Sequence, residues 1–153
     1  MKKLLSVVLC LCLCLLAGAA ALAEETGDGS FLIKVWDESG LNPTYLRFDF
    51  YVGDEYRGCA VSCPDEGEDF YRGPWEPSSP EELETLRIEC CYGISDLKPE
   101  DAVLQVMMGN PAEEHPVEMA ELVPEPGQVY RLVLRSDGDA AWLEPAEEEE
   151  PAG

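Results

Sequence analysis

The chain has 153 residues and a formal charge of −22, with 32 acidic residues against ten basic ones and a single histidine. So acidic a balance argues against nucleic acid, whose phosphates are bound by Lys and Arg with release of counterions, and against anionic membrane surfaces. It favours solubility and repulsion from other anionic surfaces.

Residues 1–23 read as a cleavable signal peptide. Lys2 and Lys3 supply its positive end, Leu4 to Leu16 form an apolar core broken only by Ser6, and Ala21-Leu22-Ala23 places small residues where a signal peptidase cuts. The apolar stretch is shorter than the ~20 residues of a spanning helix, and Glu24, Glu25 and Asp28 follow it instead of basic residues. No stable membrane insertion is therefore expected after cleavage. Cys10, Cys12 and Cys14 lie inside the apolar core and act there as small hydrophobes. The remaining chain keeps eight basic residues against 32 acidic ones, a formal charge of −24, and has the size of one domain. The expected location is secreted or otherwise extracytoplasmic.

Residues 24–30 are a polar spacer, expected to be flexible, and Phe31 to Asp37 is the first predicted strand. Leu46, Phe48, Phe50 and Val52 alternate with Tyr45, Arg47, Asp49 and Tyr51, the period of a strand buried on one face. Gly53-Asp54-Glu55 then reverses the chain into Tyr56 to Cys63, a hairpin pattern. Phe70-Tyr71-Arg72-Gly73-Pro74-Trp75 reads as a loop that spends large apolar groups. Further strands are predicted at Leu83 to Tyr92, Ala102 to Met108, Val117 to Val123, Val129 to Arg135 and Ala140 to Leu143. Asp137-Gly138 forms the tight turn between the last two. Ser79-Pro80-Glu81-Glu82 and Lys98-Pro99-Glu100-Asp101 each suit one helical turn, with Pro at the first position and acids near the positive end of the dipole. Residues 144–153 are an acidic tail too poor in apolar groups to order itself.

Short alternating segments punctuated by twelve prolines and thirteen glycines imply an all-β fold. The expectation is a small antiparallel β-sandwich, Ig-like or prealbumin-like, of about seven strands over residues 31–143.

Cys59, Cys63, Cys90 and Cys91 are an even set in a compartment that permits disulfides, and the leading reading pairs them. In one extended strand Cys59 and Cys63 stand about 13 Å apart, too far to join. Cys90 shares the face of Leu86 and Ile88 and is the expected core bridge to Cys59 or Cys63, with a vicinal Cys90 to Cys91 bond as the other arrangement. The spacings C-x-x-x-C and C-C are not those of zinc knuckles, and no metal or cofactor is expected from them.

Asp65, Glu66, Glu68 and Asp69 cluster after Pro64 without an EF-hand pattern, since Phe70 stands where the loop needs glycine. Weak calcium binding through these carboxylates is the remaining metal expectation. His115, between Glu114 and Pro116, is read as a surface residue, and no serine sits in a nucleophile elbow. No catalytic residue is assigned. The binding candidates are Phe70, Tyr71 and Trp75, large rings spent on an apparent loop and suited to a peptide, a glycan or another protein.

The segment Asp37-Glu38-Ser39-Gly40, followed by Pro43 and the strand from Leu46, together with Gly127-Gln128-Val129-Tyr130-Arg131-Leu132, resembles the opening and closing strands of Cna-B and related prealbumin-like domains of bacterial surface proteins. Many such domains join a first-strand lysine to an asparagine in the last strand. Lys34 has the lysine's place, but Asn42 and Asn110 lie elsewhere, so no isopeptide bond is expected.

The expected function is that of a non-catalytic binding module at the cell exterior. The alternatives are a small extracytoplasmic hydrolase using a carboxylate pair, and a structural or inhibitory accessory protein.

Overall fold

The computed structural model describes residues 29–147. The segment read as a signal peptide, most of the expected spacer and the last six residues of the acidic tail lie outside these described residues.

Eight strands form the fold: β1 (Phe31–Asp37), β2 (Tyr45–Val52), β3 (Glu55–Ser62), β4 (Phe70–Trp75), β5 (Leu86–Ile94), β6 (Glu113–Met119), β7 (Val129–Ser136) and β8 (Ala141–Pro145). They make one sheet in the order β3-β2-β5-β6-β8-β7-β1-β4. The sheet curls until its two end strands meet, where the Arg72 N–H donates to Ser62 Oγ at 2.7 Å. The all-β expectation holds, but the seven-stranded sandwich does not: this is a single sheet nearly closed into a barrel. Nor is it purely antiparallel. β1 runs parallel to β7 and β6 parallel to β8. A barrel removes the exposed edges that two separate sheets would have to protect.

Alternation decides what fills the interior. Phe31, Ile33 and Val35 from β1, Leu46, Phe48 and Phe50 from β2, Cys90 from β5, Val117 from β6, Leu132 and Leu134 from β7, and Ala141 and Leu143 from β8 form one buried cluster. Full burial of each large side chain contributes about 1.5–3 kcal/mol.

Two segments depart from their predicted state. Residues 70–75 are a strand, not a loop. As the last strand of the order, β4 tolerates Pro74, whose missing N–H costs no ladder bond on the free side. Gly73 is required by packing, since a Cβ there would lie 2.8 Å from the Phe48 ring. Residues 102–108 are not a strand but most of a helix, α1 (Pro99–Met107). Pro99 opens it and Glu100 and Asp101 occupy its first turn, which is the predicted cap extended by two turns. Ala102 and Val106, one turn apart, face inward and cover Tyr45 on the outer side of the sheet. A continuous apolar run reads equally as strand or buried helix, and the packing partner decides.

Pro80–Thr85 forms a short 3₁₀ helix, so the strand predicted from Leu83 begins at Leu86. Order also extends past residue 143: Glu144 and Pro145 belong to β8, and the Ala146 N–H donates to the Arg131 carbonyl at 2.9 Å. The predicted Asp137-Gly138 turn is present, with Gly138 at φ 96° and Asp137 Oδ1 accepting from the N–H groups of Asp139 and Ala140. Those two bonds hold the Asp137 carboxyl below its ordinary range.

Candidate functional site

Of the three rings predicted to bind a ligand, two belong to the core. Strand alternation turns Tyr71 inward, where it is buried and its hydroxyl donates to the Pro43 carbonyl at 2.7 Å. Trp75 stacks on Phe50 with ring centroids 5.6 Å apart. Only Phe70 faces outward, against Trp36 at 5.3 Å and beneath the Lys34 ammonium and Arg72 guanidinium, each 4.9 Å from its centroid. The predicted aromatic platform is therefore split between two sides of the sheet.

Among the described residues Cys59, Cys63, Cys90 and Cys91 are not joined in disulfides, and the topology explains why the predicted core bridge is absent. Cys59 lies opposite Asp49 and Cys90 opposite Phe48, so β2 runs between their strands. Two strand spacings put the backbones about 9–10 Å apart, beyond the ~7 Å limit for a disulfide. Cys90 also faces the interior while Cys59 is exposed. Cys63, just beyond β3, is separated from Cys90 by the same intervening strand. Cys90 and Cys91 point to opposite faces of β5, against a vicinal bond. Burial raises the thiols of Cys90 and Cys63, and that of Cys91 is pushed up to about 12 by burial, then by Glu114 and Asp49 against the pull of Arg47.

Around Cys91 the outer face of β2, β5 and β6 carries a polar network. Arg47 donates from Nε to Asp49 Oδ2 at 3.0 Å and from Nη1 to Glu114 at 2.7 Å. The Tyr45 hydroxyl donates to Glu114 Oε1 at 2.9 Å, and burial followed by Glu114 drives its phenol far above the usual range. Asp49 and Glu114 are the carboxylate pair that the sequence does not single out. Both are tied to one guanidinium on a convex surface, and the arrangement builds structure more than a cleft.

Acidic residues after Pro64 are likewise committed: Arg72 binds Glu68 at 2.5 Å and reaches Asp65 at 3.7 Å. Among the described residues no group of three or more carboxylate, histidine or cysteine side chains is placed to hold a metal. His115 stacks on Tyr92 at 5.0 Å and is half-exposed.

The surface that the sequence reading missed lies on α1. Seven large apolar side chains are exposed among the described residues, and five of them, Ile94, Leu97, Leu104, Met107 and Met108, fall between residues 94 and 108. Leu104, Met107 and Met108 are three and four residues apart, so they share the solvent side of the helix. Their exposures are 55%, 65% and 64%. Leu97 lines a separate shallow depression of about 160 Å³ with Ser95, Ala102, Gln105, Asn110, Pro111 and Ala112. The signal was present in the sequence as Pro99-Glu100-Asp101 before an apolar run. Reading that run as a strand concealed which side chains would face solvent. No helix among the described residues is long and apolar enough to cross a membrane.

Compared with known proteins, the chain matches no family model, no curated protein and no solved structure. The described residues define an all-β class, with one mixed eight-stranded sheet and an α-helix packed on its outer side.

Proposed function

We propose that this protein is an exported, acidic, non-catalytic binding module whose contact surface is the outward side of α1. The observation that carries this reading is the concentration of exposed apolar side chains there, Leu104 and Met107 on the helix and Met108 at its C-cap, with Ile94 and Leu97 exposed in the segment that precedes it. Isolated exposed hydrophobes are ordinary, but a contiguous group on one element is a mark of an interaction site. The barrel beneath holds the helix by Ala102 and Val106 against Tyr45, so the surface is presented on a rigid support. Export rests on the N-terminal segment, residues 1–23, and the acidity of the remaining chain suits a soluble protein outside the cytoplasm.

The test is site-specific photo-crosslinking in the exporting cell, with the reactive side chain at position 107 and a control at Asp139 in the β7–β8 turn. A discrete adduct from 107 and none from 139 is the expected outcome. Equal labelling from both positions, or no adduct from 107, would remove α1 as the contact surface.

A further inference from the structure

A helical stretch that is apolar at nearly every position is ordinarily buried on all sides. From Ala102 to Met108 only Gln105 is polar, yet the sheet covers one side of α1 and leaves Leu104, Met107 and Met108 in solvent. Two of these three are methionines, flexible side chains that fit themselves to differing apolar partners.

The charges that α1 itself presents are acidic. Glu100 and Asp101 in its first turn, four and three residues before Leu104, are exposed on the helix, Asp96 and Glu113 are exposed in the segments that flank it in sequence, and Lys98 is the only cation between residues 94 and 113. The last turn of α1 holds no basic residue, so its negative dipole end is not offset by its own side chains. A second copy of the chain would bring Glu100 and Asp101 against the same two carboxylates, and an anionic lipid surface would be repelled.

We infer that the outward side of α1 receives a cationic amphipathic segment of a partner polypeptide, with an apolar stripe on Leu104, Met107 and Met108 and flanking Lys or Arg toward the acidic rim. This inference rests on the reading of that face as the contact surface, and adds the chemistry of its occupant. Apolar burial supplies the affinity, while the rim sets orientation and raises the association rate.

The experiment titrates the purified mature chain with a labelled helical peptide of Leu and Lys about five turns long, with the same peptide carrying Glu for Lys, and with oligolysine. Each is repeated on the double variant L104S/M108S, whose exposed positions leave the melting temperature unchanged. The expected result is binding of the Leu/Lys peptide that weakens with added salt and falls about tenfold or more in the variant, with no binding of the Leu/Glu peptide. Equal or tighter binding of the Leu/Glu peptide at this face would overturn the cationic partner while leaving the contact surface standing. Leu/Lys binding that the variant does not weaken, or that oligolysine matches, would show charge attraction alone and overturn the inference. So would self-association, or adsorption to zwitterionic vesicles, that is lost in the variant in place of peptide binding.

Discussion

Gly93 lies directly under the ring of Tyr45 across the β2–β5 ladder, and a Cβ at residue 93 would fall 2.2 Å from the phenol Cζ and 2.4 Å from its oxygen. The ring crosses this gap to place its hydroxyl on Glu114, and α1 closes over it. Replacing Gly93 by alanine is expected to cost about 1–3 kcal/mol through overpacking. Urea unfolding should show it. The cost should vanish in a Tyr45→Ala background, where the methyl group has room; an undiminished cost there would place its cause elsewhere.

Tyr71 and Phe70 are neighbours in sequence with opposite fates, and substitution should separate them. Tyr71→Ala removes a core ring and is expected to cost about 3–5 kcal/mol, whereas Tyr71→Phe gives up only the bond to Pro43 and costs about 1 kcal/mol. Phe70→Ala, on the outer face, should cost less than Tyr71→Ala by denaturant midpoint. The reverse order would put the wrong side of β4 in the core.

Thiol chemistry offers a direct check on the strand order. Alkylation of the unfolded chain without reduction should label all four cysteines, since β2 separates the pair that would otherwise bridge. In the native protein Cys59, exposed, should react first and Cys90, 6% exposed with its thiol raised by burial, last. An unreduced mass lacking two or four hydrogens would contradict the topology.

Alkaline pH should destabilise the fold over a defined window. Burial raises Cys91 from 9.0 and Tyr71 from 10.0, each to about 12. The folded chain therefore holds these protons more tightly than the unfolded one, and their contribution is whole below pH 9.0. It is lost as the pH rises toward about 12. Urea midpoints should fall across that interval, less steeply in Cys91→Ser. A profile that Cys91→Ser leaves unchanged would take Cys91 out of the account.

Much of the strand content was legible because one-sided burial imposes a period of two that local residues carry by themselves. Phe31–Asp37 and the Tyr45–Val52 hairpin with β3 follow from alternation and from Gly53, and the β7–β8 turn follows from Asp137-Gly138. Residues 102–108 were not legible in the same way. Their side chains are apolar at nearly every position, and only contact with Tyr45 and Val61 selects the helix. The exposed apolar side of α1 was missed for that reason, because an unassigned period leaves no inward or outward side.

The sequence by itself determined an acidic chain and a set of half-buried strands, since charge and alternation need no knowledge of distant partners. The tertiary structure alone decided that the strands join in one mixed sheet, that Tyr71 and Trp75 turn inward, that the cysteines lie on separated strands, and that Leu104, Met107 and Met108 face solvent. Each of these depends on which strand lies beside which. That order is set by long-range packing, and local residue preferences do not encode it.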